Sequence, residues 1–266
     1  MNHATPADRA HGDPTRHLLP VDTIARHNHL FTAEIRALAV AAGVTQVLDL
    51  GCGMPTAADW DRNHPTWLGI RQVAVDNDPI VISVRTRQHH KAASRNTHGY
   101  GASALPATLE ADLRNPGAVL TSATVRRTLS LGKPTLLLAT FVFHHIPNIH
   151  RPSEILARYL DALAPGSYIA LSHLTIPHDL DGKRRLATAR TVNPDDDKPL
   201  IARPAATLDG WLHGLEPVPV HEDGGRFLHV VAARKPTPPL PPTARHPRHR
   251  GPATAAIQTA PPGHHR

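Results

Sequence analysis

The stretch Val47 to Thr56, VLDLGCGMPT, constrains the fold more than any other: an apolar run suited to a buried strand breaks at once into a turn carrying Gly51 and Gly53. Glycine there leaves the backbone bare, so that a ligand can approach it and the N–H groups that follow. Two glycines after a strand are, by themselves, satisfied by a tight turn. The next two strand ends supply what a mere turn does not require. A short apolar strand, Gln72 to Val75, ends in Asp76, 23 residues after Gly53, close to the roughly 20-residue offset at which a carboxylate accepts hydrogen bonds from a bound ribose. A third strand near Ala107 to Ala111 runs into Asp112, placed to meet an adenine edge. Either acid alone could serve as an N-cap before a proline-opened helix, at Pro79 or Pro116.

The ligand that suits such a turn is an adenosine without phosphates. A dinucleotide fingerprint would want glycine at position 56, where this chain has Thr56. Pro55 also removes an N–H from the turn that would have to hold a pyrophosphate. A nicotinamide-dependent oxidoreductase is therefore an alternative that these two residues weaken.

Strand and helix patterns alternate along the rest of the chain. After Asp22, read as an N-cap, Phe31, Ile35, Leu38 and Ala42 share one helical face, and Gly43 stands just past the end. Pro134 to Val142 is a continuous apolar run, as in a strand buried on both faces. The clearest helix carries Ile155, Leu156, Tyr159, Leu160 and Leu163 on one stripe, and Gly166 to Thr175 makes a fifth strand. The polar segment Arg87 to Tyr100 reads as a loop or ragged helix end, and between Ile176 and Pro204 periodicity fades. A short helix at Leu208, Trp211, Leu212 and Leu215 precedes two strands, Val218 to His221 and Phe227 to Arg234, whose EDGG connection favours a hairpin-like antiparallel pair. This alternation describes an α/β sheet with helices on both faces, which binds ligands at the C-terminal edge of its parallel strands.

Composition narrows the classes further. The single cysteine, Cys52, excludes a disulfide framework and a cysteine-based zinc site, and points to a reducing compartment. Between the two glycines it reads as a small packed side chain. Despite 21 histidines there is no H-E-x-x-H or comparable spacing, so no metal is expected. No apolar run approaches the roughly 20 residues of a membrane span, and the polar N-terminus lacks the apolar core of a signal peptide. A cytoplasmic protein without a membrane partner is the expectation.

The net charge of +7 is concentrated at one end. After Lys235 the chain holds nine of the 27 prolines, four arginines and no acid; without those four, 25 of the 29 basic residues stand against 22 acidic ones. Residues 1–20 read as a flexible N-terminal arm, 21–235 as one domain, and 236–266 as a disordered tail rich in Pro, His and Arg. Nucleic acid would be contacted only through that tail.

The run D-x-G-x-G at Asp49 to Gly53, with acids ending strands two and three, resembles the class I S-adenosylmethionine-dependent methyltransferases. More narrowly, TQVLDLGCGMPTA, VAVDNDPIV, ADLRNP, FHHIP and LAPGSYIALSHLT are similar to an actinobacterial S-adenosyl methyltransferase family once known only as a domain of unknown function. The resemblance spans Asp22 to Lys235. It implies a Rossmann-like sheet of seven strands, mostly parallel, the last pair including one antiparallel strand, and it implies S-adenosyl-L-methionine as cofactor. On this resemblance Asp49, Gly51 and Gly53 would line the methionine part. Asp76 would hold the ribose with Asn77 beside it, and Asp112 with the Leu113 backbone would face adenine. Thr140, Phe141 and His144 would border the reacting methyl. The chain departs from the family in lacking a YDYLLGG-like arm segment, in Pro65 after the glycine turn, and in an enlarged stretch from Arg87 to Leu105.

The function expected is transfer of a methyl group to a small-molecule acceptor. The alternative is a non-catalytic regulatory protein that keeps the cofactor pocket and touches nucleic acid through its tail. His144 and His173 are the candidates for a base, since imidazole can take a proton near neutral pH; either could instead merely pack or bond backbone. No motif names the acceptor or an oligomeric state.

Overall fold

The computed structural model describes residues 19–55, 70–95, 106–192 and 199–238. Thr56, Pro65, most of the expected arm and nearly all of the expected tail lie outside them, and Leu19, at the end of that arm, is buried in the core.

Seven strands form one sheet in the order β3-β2-β1-β4-β5-β7-β6. Five of them, β1 (Gln46–Leu50), β2 (Arg71–Asp76), β3 (Ala107–Glu110), β4 (Leu136–Thr140) and β5 (Tyr168–Leu174), are parallel. β7 (Leu228–Arg234) runs antiparallel to β5, and the edge strand β6 (Glu216–Pro217) antiparallel to β7. The apolar runs of β1, β4 and β5 are continuous because each strand is covered on both sides, and strand period 2 divides them between two cores. Leu48, Leu50, Leu137, Ala139, Ile169 and Leu171 face one core; Val47, Leu136, Leu138, Ala170 and Leu174 face the other.

The first core is closed by α3 (Pro116–Thr121), α4 (Ala123–Thr128), α5 (Pro152–Ala162) and α7 (Ala205–Gly210). On α5, Ile155, Leu156 and Tyr159 are buried as the stripe predicts, each such side chain contributing about 1.5–3 kcal/mol. The second core is closed by α1 (Val21–Ala41) and α6 (Leu180–Val192). Proline opens α2 (Pro79–Arg95) and α3, with Asp78 Oδ1 accepting from Ile80 N–H at 2.8 Å and Asn115 Oδ1 from Ala118 N–H at 3.1 Å. Among the described residues no helix is long and apolar enough to cross a membrane.

Four local expectations are corrected or narrowed. The buried positions of α1 are Ile24, Phe31, Ile35, Arg36 and Ala39, while Leu38 and Ala42 face solvent; Asp22 lies inside the first turn and Pro20 precedes the helix. Of the two readings of the polar segment from Arg87, loop or helix end, the helical one holds as far as Arg95, and its residues 96–100 lie outside the described ones. Among the described side chains of α2 the buried positions, Val81, Arg85 and His89, recur every four residues, but two of them are polar and leave no hydrophobic period to read. Similarly, α6 lies within the region of faded periodicity, and among its described positions only Gly182, Leu186 and Ala189 are buried. Finally, the antiparallel strand beside β7 is Glu216–Pro217 and not Val218 to His221. The residues after it dock on α1 instead: Glu34 Oε1 accepts from His221 N–H at 2.8 Å, and His27 Nδ1 donates to Glu222 Oε1 at 2.5 Å.

Candidate cofactor pocket

The C-terminal ends of β1, β2, β3 and β4 frame a pocket of about 350 Å³, within the range of small-molecule sites. Gly51, Gly53, Asp76, Asn77, Asp112, Leu113 and Phe141 all line it. Asp49 and Thr140 do not: Asp49 is 8% exposed within β1, where Gln72 Nε2 donates to its Oδ2 at 3.3 Å, and Thr140 lies within β4 opposite Ser172.

The two glycines serve different ends. Both have left-handed backbones, with φ of +61° at Gly51 and +59° at Gly53, a conformation that costs other residues about 1 kcal/mol or more. A Cβ on Gly51 would stand 2.1 Å from Val142 Cγ2, so this glycine lets β1 and the segment after β4 come together. A Cβ on Gly53 would meet nothing within 4 Å among the described residues.

Asp76 secures the turn. Gly53 N–H donates to its Oδ2 at 2.9 Å and Asp78 N–H to its Oδ1 at 3.0 Å, leaving each carboxylate oxygen a further lone pair for a ligand hydroxyl. From behind, the buried Arg85 of α2 donates through Nε to the Gly53 carbonyl at 2.7 Å and through Nη2 to the Cys52 carbonyl. Sequence reasoning passed over Arg85; its only signal was a spacing of four from Val81.

Asp112 is held by Arg114, whose Nε donates to Oδ2 at 2.8 Å and whose backbone N–H donates to Oδ1, also at 2.8 Å. Burial pushes this carboxyl up, but the hydrogen bonds and charge of Arg114 outweigh burial and keep it below its usual value. The Leu113 carbonyl accepts from Tyr159 Oη at 2.9 Å, which ties the β3 end to α5. Burial first, then the nearby Asp112 charge, raises the Tyr159 phenol so that it stays a donor.

After β4 the chain turns sharply at Phe141, which has φ of +51°. Its N–H donates to the Ser172 carbonyl at 3.0 Å. His145, not His144, is the imidazole that lines the pocket. His144 is 1% exposed, packed between the tilted rings of Phe141 and His145 with centroids 4.1 and 4.0 Å away, and its Nδ1 has no hydrogen-bond partner among the described residues. Burial, reinforced by His145, His173 and Arg203, holds it well below the usual imidazole value, hence neutral. His173 is fully buried, outside the pocket lining, with both nitrogens engaged: Nδ1 donates to the Leu174 carbonyl at 2.7 Å, and Nε2 accepts from Arg203 Nη1 at 2.7 Å. Burial chiefly lowers its pKa to about 4. Neither candidate base lines the pocket.

The profile of the S-adenosyl methyltransferase family matches residues 2–220 of this sequence. The chain belongs to that family. Two solved structures extend the S-adenosyl methyltransferase assignment to the fold. A DUF574 family protein from Streptomyces avermitilis MA-4680 superposes with a TM-score of 0.70 at 26% identity, over 87% of this chain and 91% of that one. A protein of Thermobifida fusca YX, provisionally described as a methyltransferase, gives 0.68 at 24% identity, over 88% and 90%. No curated protein matches. The Rossmann-like sheet expected for an S-adenosyl methyltransferase, with its antiparallel end, is the one observed.

Proposed function

We propose that this protein transfers the sulfonium methyl of S-adenosyl-L-methionine to a small-molecule acceptor. The observation that carries the reading is Asp76: a carboxylate at the end of β2, braced by the Gly53 amide and facing a pocket that Gly53 leaves open. These residues fit the adenosine half of the cofactor, with Asp76 for the ribose hydroxyls and the Ala111 to Leu113 segment for the base. Asp112 serves adenine less through its own carboxylate, which Arg114 occupies, than through the shape of the β3 end. Gly51, Phe141 and His145 would surround the methionine part.

Bound there, the cofactor would supply an activated methyl on sulfur for in-line attack by the acceptor, with S-adenosylhomocysteine as the leaving group. The chain's own task is to align the acceptor with that methyl and keep water out. His145 is the imidazole on the pocket wall, and its Nδ1 donates to the Pro199 carbonyl at 3.2 Å, which orients the ring.

Calorimetric titration with S-adenosylmethionine and S-adenosylhomocysteine, with NAD as the control ligand, tests this on wild type, Asp76→Asn and Asp76→Ala. Wild-type binding that weakens about tenfold or more in both variants is the expected result. A folded wild type that binds neither sulfur ligand, or that prefers NAD, overturns the proposal.

A further inference from the structure

We propose that Arg203 is the positioning residue of the pocket, holding in shape the wall from Phe141 to Ile146; the proposal rests on reading that pocket as the cofactor site. Arg203 lies far along the chain from this wall and does not line the pocket. It is 5% exposed, and each of its guanidinium nitrogens is in use. Nη1 donates to the Phe143 carbonyl at 3.1 Å and to His173 Nε2 at 2.7 Å; Nη2 donates to the Ile146 carbonyl at 2.7 Å and to Asn148 Oδ1 at 2.7 Å; Nε donates to Asn148 Oδ1 at 3.2 Å. These contacts account for the five donors of an arginine.

The wall needs such a brace because it has little regular structure of its own. It leaves β4 through a left-handed Phe141 and continues as a single 3-10 turn, Phe143–His145. The carbonyls of Phe143 and Ile146 accept from the guanidinium, which is outside the pocket lining, and Phe141, Val142, His145 and Ile146 of the same segment line the pocket. Strand-like contacts anchor the brace: Arg203 N–H donates to the Leu174 carbonyl at 3.1 Å, and Ile201 N–H to the His144 carbonyl at 2.9 Å. The Trp211 ring lies 5.3 Å from the guanidinium carbon. The partners of this buried cation are carbonyls, an amide and an imidazole, with no carboxylate among them. Its planar fork, and not merely its charge, spans acceptors on several segments, which the point charge of a lysine cannot do.

The test compares Arg203→Met and Arg203→Lys with Gln46→Met. Gln46 is an equally buried hub at the opposite end of β1, its Nε2 reaching the Ser130 carbonyl at 2.7 Å and Thr135 Oγ1 at 2.8 Å. Two readouts are taken under conditions where every variant is folded: S-adenosylhomocysteine affinity, and hydrogen exchange of the amides in 141–148 without ligand. We expect both Arg203 variants to lose about tenfold or more in affinity and to exchange faster in 141–148, with Gln46→Met losing stability but keeping both readouts near wild type. Should the Arg203 variants not fold, Asn148→Ala, which removes one exposed acceptor, is expected to shift both readouts the same way by less. Unchanged readouts in the Arg203 variants, recovery by lysine, or equal changes in Gln46→Met would overturn the proposal. If wild type binds no S-adenosylhomocysteine, the cofactor reading fails, and the exchange comparison alone decides the role of Arg203.

Discussion

The side chain of Val142 occupies the space that a Cβ on Gly51 would enter, its Cγ2 standing 2.1 Å from that position. Two glycines one residue apart thus have separable jobs, and substitutions separate them. Gly51→Ala adds an overpacking clash to a left-handed backbone and should cost about 2–4 kcal/mol of stability. Gly53→Ala meets no described neighbour and should cost only about 1 kcal/mol, while its methyl, added at the pocket lining, weakens cofactor binding. Urea unfolding and calorimetry on the two variants check the contrast; equal stability losses would contradict it.

Arg85 supports the same turn from outside the pocket. Arg85→Met leaves the carbonyls of Cys52 and Gly53 without this charged donor, and should cost about 1–3 kcal/mol and reduce affinity for S-adenosylhomocysteine. Thermal unfolding with and without the ligand reads both effects.

Removing the Tyr159 hydroxyl is a smaller lesion. Tyr159→Phe keeps the ring in the core but frees the Leu113 carbonyl, so stability should fall by about 1 kcal/mol. Unfolding midpoints in urea, compared with those of wild type, measure it.

Acid should weaken the fold through its neutral histidines. The His173 pKa is about 4 in the folded chain and near 6.5 when unfolded. The unfolded chain therefore binds the proton first. Stability from this group is complete above pH of about 6.5 and lost as pH falls towards about 4, a total on the order of 3 kcal/mol. His144 acts in the same direction. Denaturant midpoints measured from pH 8 to pH 4 should fall through this window, and His173→Gln should flatten part of the slope.

The order of elements, the glycine turn and the acids at the ends of β2 and β3 were legible because each is a local pattern: an apolar run, a missing Cβ, a carboxylate before a proline. Period-2 alternation even contained the division of β1, β4 and β5 between two cores, since neighbouring residues of a strand must face opposite ways. What local pattern could not reveal was decided by partners distant in the chain. α2 and α6 persist where hydrophobic period fails, because Arg85 and Ala189 are buried by neighbours the helix cannot encode alone. Of two adjacent histidines, the 3-10 turn after Phe141 sets His145 on the pocket wall and buries His144. His173 is bound to Arg203, 30 residues on. Sequence thus determined which backbone could approach a ligand, through the conformations each residue type allows; tertiary structure decided which side chains face that ligand, because orientation is settled only when the whole wall is packed.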